Sequence, residues 1–118
     1  MTKNLLTLAL AATLPAAAQD LERGRQLFEK CYACHNVQPP SGNDGPALAG
    51  VVGRASASLE DFRYSKPMSR ANLTWDEATL DRYLADPPTV VPGTRMAFDG
   101  LPNAADRASV IAYLKTLK

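Results

Sequence analysis

The segment Cys31-Tyr32-Ala33-Cys34-His35 constrains this chain more than any other part of its sequence. It has the spacing C-x-x-C-H, which is the pattern for covalent attachment of a c-type haem. Each thiol can add across one vinyl group of the porphyrin, and the histidine that follows can bind the iron. The chain has 2 cysteines and 1 histidine, and all of them lie in this motif. The segment therefore predicts one haem c, bound through Cys31 and Cys34, with His35 as an iron ligand.

Other uses of these side chains remain open on the motif alone. A structural zinc site takes four ligands, more than the motif supplies. A thioredoxin-like redox pair would follow a strand in a βαβ pattern, and no β-rich run precedes Cys31. A plain disulfide suits an exported protein but would leave His35 without a role. Haem attachment uses every reactive side chain of the motif, so we favour it.

The beginning of the chain has the pattern of a secretory signal peptide over residues 1–18. Lys3 supplies the positive start, residues 5–14 form an apolar run, and a row of alanines ending at Ala18 offers a cleavage site. The apolar run is too short to span a bilayer. We therefore expect cleavage near Ala18, a periplasmic location, no stable membrane insertion afterwards, and one domain over residues 19–118.

The charge balance of the chain is close to neutral. It carries 13 basic and 12 acidic side chains, and loss of Lys3 with the signal peptide would make the two numbers equal. The propionates of a haem would then make the protein acidic. Nucleic-acid binding usually requires a basic patch or stripe, so we expect no nucleic-acid partner.

Hydrophobic periodicity predicts helices over residues 20–34, 65–72, 74–85 and 103–117. The predicted N-caps of these helices are Asp20, Ser65, Thr74 and Asn103. No alternating pattern of useful length predicts a strand. The long segments between the helices are rich in turn-forming residues, and such loops are uncommon unless something packs inside them. The chain is therefore predicted to be all-α, with three to five helices and long loops wrapped around the haem.

The second iron ligand has two candidates after the signal peptide, Met68 and Met96. A thioether ligand raises the reduction potential of a haem iron. Met96 follows Pro92 and Gly93, which can turn the backbone toward the haem. Met68 lies in a short predicted helix, where it would pack against the ring. Either methionine could instead fill the core, so the residue pattern favours Met96 and leaves Met68 open.

Taken together and in order, these motifs resemble class I cytochrome c, the soluble family with a single haem. The resemblance covers essentially all of residues 19–118 and implies the cytochrome c fold. It implies that Met96 is the distal iron ligand and that the carbonyl of Pro46 accepts the N–H of the proximal imidazole. It further implies haem contacts for Arg54, Tyr64 and Trp75 near a propionate, Tyr83 near the distal methionine, and Phe98.

Gly24 is an unusual choice for the interior of the first predicted helix, where glycine costs about 1 kcal/mol relative to alanine. A close approach by another helix would explain it. In the family that the chain resembles, Gly24 and Phe28 match positions that contact the last helix, on which Tyr113 lies.

The resemblance implies a monomeric one-electron carrier, not an enzyme, which meets other redox proteins transiently. Lys30 and Arg95 fill two positions of the lysine ring of mitochondrial members, while residues 86–89 supply no lysine. This difference weakens the case for a mitochondrial-type oxidase as partner. Met68 stands where many relatives have asparagine. A haem subunit of an oxidoreductase complex remains an alternative, as does a protein that binds peroxide or a gas after loss of Met96.

Overall fold

The computed structural model describes residues 3–4, 6–7 and 16–118. Its helices are α1 (Ala16–Phe28), α2 (Lys66–Arg70), α3 (Glu77–Ala85), α4 (Pro87–Val90) and α5 (Ala104–Thr116), and the 3-10 turn Glu29–Ala33 continues α1. Within residues 16–118 the only β-type pairing is an isolated bridge between Ala55 and Thr74. The all-α prediction is therefore confirmed. Most of the predicted signal peptide lies outside the described residues, and its cleavage stays a prediction.

The frame of the fold is the crossing of α1 with α5. Gly24 lies at the crossing, and a Cβ atom placed there would come within 2.0 Å of the Ser109 carbonyl oxygen. Beside it, the fully buried Phe28 ring lies 5.1 Å from the Tyr113 ring, measured between centroids. The glycine is present because the two backbones approach too closely for any side chain.

Two of the four predicted N-caps are confirmed and two are wrong. Ser65 and Asn103 cap α2 and α5, since each side chain accepts a backbone N–H of the first turn, at 3.3 Å and 3.1 Å. Thr74 does not cap α3, because its backbone pairs with Ala55 in the β-bridge, and Asp76 is the cap instead. Asp20 is not a cap either, because α1 already begins at Ala16.

The long loops are fastened to the helical frame by backbone hydrogen bonds. The loop after the 3-10 turn folds back on itself, with Leu48 N–H donating to the Asn36 carbonyl at 3.0 Å. The loop before α5 is bound to α3, with Leu101 N–H donating to the Leu84 carbonyl at 2.7 Å. These bonds satisfy backbone groups that would otherwise be buried without partners, and they hold both loops in place around the core.

The buried apolar side chains form one cluster, to which α1, α3, α5 and the loops between the helices contribute. Its members are Phe28, Val51, Trp75, Leu80, Tyr83, Val91, Leu101, Val110, Ile111 and Leu114. Several of them, including Phe28, Leu80 and Val110, also line the cavity described below. The core is therefore continuous with the wall of that cavity. Within the described part of the chain, no helix has the length and apolarity needed to cross a bilayer.

Candidate haem site

A cavity of about 470 Å³ lies between the 3-10 turn, α2, α3, α5 and the loop that precedes α5. Its volume is in the usual range for pockets that hold small molecules and cofactors. Every site residue that the sequence predicted lines this cavity: Cys31, Cys34, His35, Pro46, Arg54, Tyr64, Trp75, Tyr83, Met96 and Phe98. Residues far apart in the sequence are thus brought to one partly open, mainly apolar space.

The 3-10 turn presents both cysteines to the cavity. The Cys31 carbonyl accepts the N–H groups of Cys34 and His35, at 3.1 Å and 2.9 Å, which closes a tight turn directly after α1. Both thiols are free, with Cys31 half-buried and Cys34 exposed. Burial raises the pKa of the Cys31 thiol. Neither cysteine is used in a disulfide, so both remain available to a ligand in the cavity.

The imidazole of His35 has a fixed tautomer. Its Nδ1 lies 2.7 Å from the Pro46 carbonyl oxygen, and because a carbonyl can only accept, Nδ1 carries the proton. Burial lowers the pKa of His35, which keeps the ring neutral. Gly45 allows the backbone to lie against the ring, since a Cβ there would come within 2.5 Å of His35 Cε1. The unprotonated Nε2 is therefore the nitrogen that can bind a metal.

The loop before α5 holds Met96 in the cavity wall. Gly93 has a φ of +84°, which permits the turn that precedes it. The backbone N–H of Met96 donates to the Thr94 hydroxyl at 3.2 Å. The buried Tyr83 hydroxyl lies 3.8 Å from the Met96 sulfur, as a donor, and 3.5 Å from the Thr94 hydroxyl. Burial raises the pKa of Tyr83, so its hydroxyl keeps its proton.

Met68 also lines the cavity, so the structure brings both candidate methionines to one site. Its backbone N–H forms the cap bond of α2, and its side chain packs against the buried core. Met96 differs because a hydroxyl donor, that of Tyr83, points at its sulfur. A donor at a thioether sulfur orients one lone pair and leaves the other free for a metal.

A cationic and polar side of the cavity surrounds Arg54. Its guanidinium donates to the carbonyls of Ala47 and Ala49, at 3.0 Å and 3.4 Å, and burial lowers its pKa. Tyr64 lies nearby in the same wall, and its hydroxyl accepts the Leu59 N–H at 3.3 Å. A fixed cation of this kind complements an acidic group in an otherwise apolar space.

An aromatic pair forms another part of the wall. Trp75 and Tyr83 are both buried, and their ring centroids are 4.8 Å apart. Within the described residues, no protein group bonds the indole N–H of Trp75. Because this donor belongs to a residue that lines the cavity, it is available to a polar group of a ligand.

Taken together, the residues present fit a haem. The walls are apolar and aromatic, as a porphyrin plane requires, and two thiols, one unprotonated imidazole nitrogen and a thioether converge on the space. The imidazole nitrogen and the thioether are donors that hold c-type haem iron, and two thiols at this spacing are the groups that attach the porphyrin. The guanidinium of Arg54 adds a positive charge to the wall, which complements the acidic propionates of a haem.

Two residues that support the Pro46–Ala47 peptide behind the cavity wall were missed by the sequence analysis, Ser41 and Asp61. The Ser41 hydroxyl accepts the Ala47 N–H at 2.8 Å and donates to the Asp61 carboxylate at 2.8 Å. The pair joins two loops separated by 20 residues, and both residues are common loop formers. No local pattern marks such a contact, because it depends on how the two loops fold together.

Comparison with known proteins agrees with the geometry of the site. The sequence model of the cytochrome c family matches residues 21–118. The chain is 53% identical over 90 residues to cytochrome c2 iso-2 of Magnetospirillum fulvum, covering 76% of this chain and 94% of that protein. It is 50% identical over 101 residues to cytochrome c2 of Rhodomicrobium vannielii, covering 85% and 81%. Among solved structures, cytochrome cH from Methylobacterium extorquens superposes with a TM-score of 0.78 at 41% identity, covering 82% of this chain and 98% of that one.

Proposed function

Because this chain belongs to the cytochrome c family, whose members carry covalently bound haem c, we propose that it is a one-electron carrier. Its cofactor is haem c, and Cys31 and Cys34 have the spacing that attachment requires. In this proposal His35 and Met96, which line the same cavity, would be the two residues that hold the iron. The protein is then a carrier and not an enzyme, because no iron position is left for a substrate.

The observation that carries the proposal is the pair of oriented donors in one apolar cavity. The Pro46 carbonyl holds the proton of His35 on Nδ1 and so leaves Nε2 free. For the second ligand, the Tyr83 hydroxyl donates to the sulfur of Met96. Both donor atoms are held by contacts with protein groups, which is the arrangement expected of a site that must not rearrange during electron transfer.

When bound, haem iron supplies exchange of one electron between its ferric and ferrous states. The chain's residues set the conditions for that exchange. The apolar wall, including Phe28, Leu80 and Val110, excludes water and disfavours the extra charge of ferric iron. The hydrogen bond from His35 to Pro46 raises the basicity of the imidazole and opposes that effect. The balance of these contributions sets the reduction potential.

We propose that redox partners meet the protein at the mouth of the cavity. Lys30 and Arg95 line the cavity and are exposed, together with the exposed acid Asp44. We expect brief encounters, since redox complexes bury little surface. The association rates should change with ionic strength, since charge mainly controls the association rate. The proposal includes export to the periplasm after removal of residues 1–18, and a monomer of residues 19–118.

The ligand assignment is tested by the optical spectrum of the ferric protein with methionine variants. A thioether bound to ferric haem gives a weak far-red charge-transfer band, so wild-type protein is expected to show it. Met96→Ala should abolish the band and allow rapid binding of cyanide or carbon monoxide. Met68→Ala is the matched control, because Met68 lines the same cavity, and it should keep the band.

Two results would contradict the proposal. Loss of the band in Met68→Ala with its retention in Met96→Ala would show that the wrong methionine has been assigned. Rapid ligand binding by wild-type protein without any far-red band would show an open iron position, as in a peroxide-reactive or gas-binding protein.

A further inference from the structure

The peptide group between Pro46 and Ala47 is hydrogen-bonded at both ends. Its carbonyl oxygen accepts the proton of His35 Nδ1 at 2.7 Å. Its N–H, which belongs to Ala47, donates to the Ser41 hydroxyl at 2.8 Å. The carbonyl and the N–H are parts of one conjugated amide. A stronger bond at the N–H therefore places more negative charge on the carbonyl oxygen.

Ser41 is bonded in turn to the exposed carboxylate of Asp61. Its hydroxyl donates to Oδ1 at 2.8 Å, and its backbone N–H donates to Oδ2 at 2.7 Å. These two bonds lower the pKa of Asp61, so the carboxylate is ionised at neutral pH. A hydroxyl has a single proton, and here Asp61 accepts it. The Ser41 oxygen is thereby left as the acceptor for Ala47.

We propose that Asp61 and Ser41 are positioning residues that act through the Pro46–Ala47 peptide to strengthen the hydrogen bond at His35. We call this chain of groups the proximal relay: carboxylate, hydroxyl, amide, imidazole. Each bond makes the next acceptor more negative. A stronger acceptor at Nδ1 makes the other ring nitrogen a more basic ligand, which favours ferric iron and lowers the reduction potential.

The surroundings of the relay leave it little freedom to move. A Cβ atom at Gly45 would come within 2.6 Å of His35 Nδ1, so the backbone is already pressed against the ring. Ala47 is buried, and its own carbonyl accepts the Arg54 guanidinium at 3.0 Å. The relay therefore runs from an exposed carboxylate to a half-buried ring through groups whose positions are fixed.

The inference rests on the proposed function, because it requires His35 to be the proximal iron ligand. It is tested in the haem-loaded protein with Ser41→Ala and Asp61→Asn, by redox titration of the midpoint potential. Both variants are expected to raise the potential. The double variant should raise it no further than the larger single change, because both act through one chain of bonds. Ser41→Thr keeps a hydroxyl and should keep the wild-type potential.

A matched control separates the relay from the simple loss of a negative charge. Glu60→Gln removes the same charge from the neighbouring residue, whose carboxylate makes no hydrogen bond within the described part of the chain. It should shift the potential less than Asp61→Asn does. Ser41→Ala changes no formal charge, so a rise in potential in this variant cannot come from the loss of a charged side chain.

NMR gives a second readout that does not depend on the potential. In the relay variants the ring N–H proton of His35 should move upfield, as its hydrogen bond weakens. The backbone amide of Ala47 should exchange with solvent roughly fivefold faster in Ser41→Ala, since it loses one hydrogen bond. If the far-red band of wild-type protein is missing, the proposed ligation has failed, and the relay is then judged by these two signals alone.

Two outcomes would overturn the relay. One is a Ser41→Ala protein whose midpoint potential and His35 ring N–H chemical shift match those of wild type. Ser41 and Asp61 would then only hold two loops together. The other is a Glu60→Gln protein whose potential shifts as far as that of Asp61→Asn, which would leave only the distant effect of charge.

Discussion

The crossing of α1 and α5 predicts that Gly24→Ala destabilises the protein although alanine is the better helix former. The new Cβ would lie 2.0 Å from the carbonyl oxygen of Ser109 and 2.9 Å from the Cβ of Tyr113. Non-bonded atoms normally keep at least about 3.5 Å apart. The two helices would therefore have to separate by roughly 1.5 Å, and this would loosen the packing around Phe28, which is fully buried beside them.

The size of the effect follows from two opposing contributions. Overpacking a tight interior site costs about 1–3 kcal/mol, and a backbone carbonyl cannot move aside as a flexible side chain can, which places this case at the upper end. Alanine recovers about 1 kcal/mol of helix propensity. The free energy of unfolding should fall by about 2 kcal/mol, and Tm should fall by about 10 °C.

Guanidinium unfolding of the ferric protein, followed by far-ultraviolet circular dichroism, measures this change. Gly42→Ala is the control, because its Cβ would meet nothing closer than 3.6 Å, which is ordinary contact. That variant should stay within about 0.5 kcal/mol of wild type. A Gly24→Ala protein as stable as wild type would refute the reasoning, since it would mean that the helices separate at no cost.

Three further predictions follow from the contacts of single side chains. Tyr83→Phe removes the hydroxyl that lies 3.8 Å from the Met96 sulfur. Because the sulfur then donates more electron density to the iron, redox titration should show a lower midpoint potential. An unchanged potential would show that this contact does not affect the iron. Asn103→Ala removes the side chain that accepts the Asp106 N–H at 3.1 Å, so thermal unfolding should show a loss of about 1 kcal/mol, and no loss would mean that water replaces the cap. The Thr79 N–H donates to the Asp76 carboxylate and lowers the pKa of Asp76. The ionised carboxylate therefore stabilises the protein above the ordinary aspartate pKa of about 3.9, and this stabilisation is lost as the pH falls through the lowered pKa. The stability difference between wild type and Asp76→Asn, measured by denaturant titration from pH 7 to pH 3, should shrink toward the acid end, and a constant difference would be inconsistent with that linkage.

Local patterns predicted the attachment motif and two candidate methionines, whereas the family resemblance implied the other site residues: Pro46, Arg54, Tyr64, Trp75, Tyr83 and Phe98. The C-x-x-C-H motif contains both thiols and the imidazole. The turn-forming residues Pro92 and Gly93 predict that the backbone turns toward the haem just before Met96. The structure places Met96 and His35 in one cavity. That cavity also contains Met68, which the residue pattern alone could not rule out.

The boundaries of the helices were predicted less well, for physical reasons. Thr74 has a good capping side chain, but its backbone is paired with Ala55, so α3 begins only at Glu77. The first α-helix ends at Phe28, and a 3-10 turn follows that contains Cys31 and ends just before Cys34. The helical period does not distinguish this turn from an α-helix. In both cases a contact or a tighter turn outside the local pattern decides where the helix begins or ends.

The loops were the least predictable part of the chain. Their turn-forming residues indicate that they are loops, but not which side chains meet. The bond from Ser41 to Asp61 joins segments 20 residues apart, and each residue alone is an ordinary polar loop residue. Pairing of this kind follows from the tertiary fold, and so it becomes visible only when the loops have been placed.

The central claim, that His35 and Met96 hold the iron between them, is tested most directly by proton NMR of the ferrous protein with methyl-labelled methionine. A methyl group bound above a porphyrin is shifted far upfield by the ring current. We predict one such resonance, absent in Met96→Ala and present in Met68→Ala. A spectrum with no upfield methyl, or one whose upfield methyl disappears with Met68, would contradict the account.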